Sequence, residues 1–138
     1  MPMPEPTSFR WPVRVYWEDT DAGGVVYHAS YLRFMERARS EWLRGLGIDQ
    51  SALKQTAGLA FLVRDMQIDF LKAALLDDEL SVTVEIEERR AASILFAQTI
   101  ERADGSCLIR ARVRVACVDV QRMRAAPIPA DLFAEPAP

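Results

Sequence analysis

The sequence holds one histidine, two cysteines and two lysines in 138 residues. Each scarcity excludes something. A single histidine without a Cys-x-x-Cys pair leaves no metal-ligand spacing. Cys107 and Cys117 lie in one alternating run, where a straight strand sets them on the same side, about 33 Å apart. A disulfide needs Cα atoms within about 7 Å, so both read as free buried thiols, which fits a reducing cytoplasm. No apolar run approaches the ~20 residues of a membrane span. The opening Met1-Pro2-Met3-Pro4-Glu5-Pro6 has neither the charged nor the apolar region of a signal peptide. A net charge of −3 offers no basic field to nucleic acid. Neither GxGxxG nor GxxxxGKS/T occurs, so there is no phosphate loop.

What is present is an ordinary globular composition, half apolar and about a quarter charged. The length suits one domain. Residues 1–8, rich in proline, are expected to form an arm, residues 9–122 the domain and residues 123–138 an extended tail. From Phe9 the pattern alternates. Phe9, Trp11, Val13, Val15 and Trp17 share one face of a half-buried strand, and Pro12 marks it as an edge or a bulge. A helix is predicted from about Ala29–Tyr31 to Leu46, with Tyr31, Met35, Ala38 and Trp42 along one face. Ser30 can cap its start and Gly47 can close its end. Trp17, Phe34, Met35 and Trp42 are expected in the core. A short second helix over Asp49–Thr56 ends at Gly58.

Four strands follow. Residues 60–71 turn Leu62, Met66, Ile68 and Phe70 to one side, and Leu75-Leu-Asp-Asp-Glu79 is a turn. Residues 79–89 and 93–102 are two more strands. Asp104-Gly105 reads as a hairpin turn. Residues 107–120 place Cys107, Ile109, Ala111, Val113, Val115 and Cys117 on one face, with Arg110, Arg112 and Arg114 on the other. The class is therefore α+β: a curved antiparallel sheet of about five strands around one long helix.

The chemistry concentrates in Tyr16-Trp-Glu-Asp-Thr-Asp21-Ala-Gly-Gly24-Val-Val-Tyr-His28-Ala-Ser-Tyr31. Asp21 stands between a strand end and a helix start, where an ionised carboxylate can serve as nucleophile or general base. The helix start near His28 supplies free backbone N–H groups and a positive dipole end, suited to a developing oxyanion. Gly23 and Gly24 let a substrate lie against the backbone. Together these fit attack on an acyl carbon, and a thioester is the apt substrate. Each residue also has a plain structural use: Asp21 as a cap or turn former, His28 as a surface or capping group, Gly23–Gly24 as a tight turn. Glu18 and Asp19 read as solvated or turn-bonding.

The run Asp19-Thr-Asp-Ala-Gly-Gly-Val-Val-Tyr-His28-Ala-Ser-Tyr-Leu-Arg-Phe-Met-Glu-Arg-Ala-Arg39 resembles the signature of the 4-hydroxybenzoyl-CoA thioesterase family. It is most similar to the acyl-CoA thioesterases encoded with the Tol-Pal system, over about residues 9–122. The resemblance implies a hotdog fold and hydrolysis of acyl-CoA to free acid and CoA. It assigns Asp21 as the catalytic aspartate and His28 as the residue whose N–H faces the thioester oxygen, its ring as a further aid. Relatives usually carry Asn at Ser30, and aromatic-substrate members carry an aromatic at His28, which argues for aliphatic acyl groups. Substrate contacts fall to Gly24, Val25, Tyr31, Phe61, Arg64 and Arg90, with Tyr31 also a structural position. Arg89 and Arg124 are further candidates for the CoA phosphates. The resemblance implies no metal or redox cofactor, CoA being part of the substrate. It implies dimers joined sheet edge to sheet edge, or tetramers of them, with Gly58–Arg64 serving the partner's site. Acyl carrier protein is an alternative acyl donor. The location implied is cytoplasmic, with the inner-membrane surface as an alternative. Two other readings remain: a hydratase or dehydratase using Asp21 or Glu36, and a non-catalytic scaffold that binds acyl chains or acyl carrier protein.

Overall fold

The computed structural model describes residues 9–133. The expected N-terminal arm and the last five residues of the expected tail lie outside the described residues. Strand β1 (Phe9–Arg14) leads through a 3-10 turn (Trp17–Asp19) to helix α1 (His28–Gly45) and helix α2 (Gln50–Ala57). Then come β2 (Leu59–Phe70), β3 (Glu79–Arg89), β4 (Ser93–Arg102), β5 (Cys107–Asp119) and the two-residue β6 (Arg124–Ala125). The sheet runs β1-β3-β4-β5-β2, antiparallel throughout, with β6 pairing β5. Pro12 sits in β1 at one edge, where its missing N–H costs no ladder bond. The β3–β4–β5 meander forms the middle. β2 pairs with β5, so the segment 71–78 must carry the chain across to β3.

α1 buries Tyr31, Phe34, Met35, Ala38 and Leu43 against the inward residues of the sheet, among them Val82, Ile94, Ile100, Ile109 and Val113. The helix ends in a Schellman motif. Gly47, at φ +82°, donates to Arg44 O, and Ile48 donates to Leu43 O. Leu43 and Ile48 are both buried, the apolar contact such an end favours. α2 starts on the Asp49 carboxylate, which accepts from Ala52 N–H, and ends at the left-handed Gly58.

Several expectations are corrected. Trp17 is 78% exposed, because the strand stops at Arg14 and the chain winds into the 3-10 turn, reversing the alternation. Ser30 is not the cap: the helix begins two residues earlier, with Tyr27 at the N-cap position and no side-chain cap. Leu62 is 44% exposed, because a bulge at Arg64 changes the phase of β2 between Val63 and Asp65. A second bulge lies at Leu108 in β5, where Ile100 pairs Ile109 but Glu101 pairs Cys107. Leu108 and Ile109 are therefore both buried, and Cys107 is only partly so. The domain also continues past residue 122. Ala126 N–H donates to Cys117 O and Ile128 N–H to Ala91 O. Phe133 packs between Trp42 and Phe61, with ring centroids 5.8 and 5.9 Å away, and the Arg89 guanidinium lies over its ring. Two aromatic partners outweigh the proline-rich composition of this stretch.

Candidate active site

The segment between the 3-10 turn and α1 is a small reversal. Tyr27 N–H donates to Asp19 O at 2.8 Å, and Asp21 N–H donates to Val25 O at 2.9 Å. Between them Asp21 O accepts from Gly24 N–H, and Gly24 takes φ +80°. The Asp21 carboxylate is held as well: Oδ1 accepts the N–H of Gly23 at 2.8 Å. The group is thus exposed but oriented, with Oδ2 free of any protein hydrogen bond among the described residues.

Asp19 does a different job. It is buried at 5% exposure, and its Oδ2 accepts Tyr16 N–H at 2.8 Å, closing the 3-10 turn. Its carbonyl accepts both Tyr27 N–H and the Ser30 hydroxyl. Of the two roles open to Asp19 in the sequence, the turn-bonding one is therefore the one observed. Ser30 ties the first turn of α1 to that carbonyl and caps nothing.

His28 opens α1. Its first turn carries no acidic residue and no side-chain cap. Among the described residues no acceptor takes the N–H of His28 or Ala29. The positive end of the helix is therefore uncompensated. The His28 ring is exposed and tilts against Tyr27, 4.4 Å between centroids.

A latch fixes the far wall. Val26 N–H donates to Ala74 O at 2.9 Å, and the Tyr31 hydroxyl accepts from Ala74 N–H at 2.9 Å. The Arg102 guanidinium donates to Ala73 O and pairs with Asp78 at 3.3 Å, and Asp78 in turn accepts from Leu75 N–H. The crossing segment 71–78 is thereby pinned to α1 and to the residues after Asp21. Leu76 then lines a groove of about 500 Å³ together with Trp17, Thr20, Asp21, Ala22 and Gly24.

The profile of the thioesterase-like superfamily matches residues 15–135. The chain belongs to the thioesterase-like superfamily. Its fold is the hotdog. It is 49% identical over 129 residues to the acyl-CoA thioester hydrolase YbgC of Escherichia coli, spanning 94% of this chain and 96% of that one. It is 50% identical over 127 residues to the acyl-CoA thioesterase YbgC of Haemophilus influenzae, spanning 92% and 93%. Among solved structures, a probable thioesterase from Bartonella henselae superposes with TM-score 0.84 at 36% identity, over 89% of this chain and all of that one. A 1,4-dihydroxy-2-naphthoyl-CoA thioesterase from Synechocystis gives 0.82 at 27% identity, over 89% and 90%. This thioesterase-family chain has no described helix long and apolar enough to cross a membrane.

One copy does not bring every candidate residue together. Asp21 and Gly24 share the groove, whereas Val25 and His28 do not line it. Tyr31 is 3% exposed and its hydroxyl is engaged by Ala74. Phe61 lines a separate cavity beneath Phe133. Arg64 is the exposed bulge residue of β2. Arg90 forms an ion pair with Glu88 at the β3–β4 turn. One residue is misassigned by the sequence pattern and one is passed over by it. Trp17 stands beside Asp21 because the alternation that assigned it to the core ends before it. Arg39 lies inside the apolar stripe of α1, four residues after Met35 and three before Trp42, and that position alone could have singled it out.

Proposed function

We propose that this chain is an acyl-CoA thioesterase acting on aliphatic acyl groups, with Asp21 as its reactive carboxylate. The observation that carries the reading is the Asp21 side chain, fixed on one oxygen by Gly23 N–H in an open groove and followed directly by an uncapped helix start. The 49–50% identity to acyl-CoA thioesterases over nearly the whole chain supports the substrate class. The N–H groups of His28 and Ala29 bind the thioester oxygen as negative charge develops on it. Asp21 then acts in one of two ways. It attacks the carbonyl carbon, expelling CoA thiolate and leaving a mixed anhydride that water opens to the free acid. Alternatively it takes a proton from a water whose oxygen attacks that carbon, and CoA leaves as before.

The site is completed by a second copy. Among the described residues β2 has a sheet partner on one side only, and its open edge carries Leu62 and Val63, 44% and 47% exposed. Exposed apolar edges are what strand pairing between chains covers. Pairing two β2 edges brings Phe61 and Arg64 of one copy toward the groove of the other, with Arg64 and Arg90 there for the CoA phosphates. The two free thiols fit a reducing, cytoplasmic setting.

The test is Asp21→Asn. Asn keeps the oxygen that Gly23 N–H needs, so the fold stays intact while kcat falls by about 10²–10⁴-fold. Near-normal hydrolysis of acyl-CoA by this variant overturns the role. A single turnover in ¹⁸O-water separates the routes, since label entering Asp21 requires the anhydride. Saturable acyl-CoA binding without turnover by the native chain would instead mark a scaffold.

A further inference from the structure

From Ala73 to Asp78 every backbone except that of Leu76 is tied down. Ala73 O accepts from the Arg102 guanidinium. Ala74 gives its N–H to the Tyr31 hydroxyl and its O to Val26 N–H. Leu75 bridges to Val25. Asp77 N–H donates to Val15 O at 3.0 Å, and Asp78 O accepts Val15 N–H at 2.9 Å. Asp78 N–H returns to Leu75 O at 3.1 Å, closing a tight turn with Leu76 and Asp77 at its centre. Asp77 takes φ +70°, a left-handed conformation that side chains disfavour. Such a turn persists only where its surroundings hold it.

Two side chains add to that hold. The Asp78 carboxylate reaches back with Oδ2 to Leu75 N–H at 2.9 Å, and the same oxygen accepts Arg102 Nε at 3.3 Å. Arg102 Nη2 spans to Ala73 O. One guanidinium therefore grips the segment on both sides of Leu76, through Ala73 and through Asp78. A planar fork can make both contacts at once, whereas an ammonium is a single point charge. The two side chains are 29% and 26% exposed, so the pair is sheltered compared with a solvated surface contact. Leu76 itself makes no hydrogen bond among the described residues, and it lines the Asp21 groove. It and Trp17 are the groove's two large apolar walls. An apolar wall beside Asp21 suits the methylene groups that flank a thioester.

We propose that the Asp78–Arg102 pair is a positioning device for the reaction: it fixes Leu76 against the groove, and Leu76 holds the methylene groups beside the thioester over Asp21. The inference rests on the reading of Asp21 as the reactive carboxylate. Contact with non-reacting atoms is the same before and during the chemical step, so it acts on KM and leaves kcat alone. A merely structural role does the reverse, because fewer folded molecules lower the apparent kcat at unchanged KM.

Steady-state hydrolysis of hexanoyl-CoA by the full-length protein supplies the test. Leu76→Ala, at an exposed turn tip, should raise KM about fivefold or more with kcat within about twofold. Arg102→Gln should raise KM about threefold or more. Asp78→Asn, which keeps an acceptor for Leu75 N–H and gives up the ion pair, should do the same. In the Leu76→Ala background Arg102→Gln should raise KM no further, since both act on one wall. An unchanged KM in Leu76→Ala overturns the proposal. So do additive effects in the double variant. A fall in kcat and in the urea midpoint at native KM, in Arg102→Gln and Asp78→Asn alike, leaves the pair a purely structural role and overturns it too. Native turnover by Asp21→Asn removes the groove from the reaction and this inference with it. An inactive Asp21→Asn beside an unchanged KM in Leu76→Ala sinks this inference alone.

Discussion

The Tyr31 hydroxyl accepts the backbone N–H of Ala74 at 2.9 Å, joining the first turn of α1 to the segment that crosses from β2 to β3. Ala74 is fully buried, so this N–H has no water to turn to. Tyr31→Phe keeps the ring packing and strands that donor, at a cost of about 1–3 kcal/mol. The pH response carries a second signature. Burial holds the Tyr31 phenol above its ordinary 10.0, so the unfolded chain ionises first. The native protein keeps this contribution below pH 10 and loses it as pH rises through the folded value. Urea titrations at pH 8 and above pH 10 should show that loss in the native chain and its absence in Tyr31→Phe.

Gly23 and Gly24 separate stability from chemistry. A Cβ on Gly24 meets nothing within 4 Å, but its φ of +80° strains any side chain. Gly24→Ala should lower the urea midpoint by an amount equivalent to about 1–2 kcal/mol. A Cβ on Gly23 would lie 3.1 Å from Asp21 Oδ1 and displace the carboxylate. Gly23→Ala should cut kcat about tenfold or more. Its midpoint should shift far less than that of Gly24→Ala.

Phe133 closes the core from beyond the expected domain end. Replacing it with alanine removes the rings' contacts to Trp42 and Phe61 and the seat of Arg89. Phe133→Ala should cost about 3–5 kcal/mol, the range for a buried aromatic. Thermal and urea denaturation would read it, and a loss of under about 0.5 kcal/mol would return this segment to the status of a tail.

Val63→Lys places a charge on the open edge of β2, where Val63 is 47% exposed. Light scattering after size exclusion should find the variant shifted from dimer to monomer. Its circular dichroism should remain native and its turnover should be lost. A dimer that persists with full activity would move the interface elsewhere.

Much of this was legible in the sequence, because strong periodicities survive folding. α1 announces itself by Tyr31, Met35, Ala38 and Trp42, and the Asp104-Gly105 turn by its dipeptide. Asp21 stood out by its place before a helix. The errors lie where one residue shifts a phase. The bulges at Arg64 and Leu108 turn Leu62 outward and Leu108 inward, and a period-two pattern cannot register an inserted residue. Trp17 was misplaced because alternation was extended through Glu18-Asp19, where a carboxylate-closed 3-10 turn takes over. Phe133 was missed because its partners, Trp42 and Phe61, are distant in sequence and nothing local records them. Arg39 was missed for the opposite reason: charged residues in a helix are read as its solvent side.

The sheet order has a kinetic meaning. β3–β4 and β4–β5 close through short turns and can form early. β2 cannot: Leu59 waits for Asp119 and Phe70 for Ile109, so it docks only once β5 exists. The last strand to arrive is also the one with an apolar open edge. If two copies pair through β2 as proposed, a chain caught before pairing offers its least secured strand to whatever strand it meets first, and rapid self-pairing would protect it against aggregation.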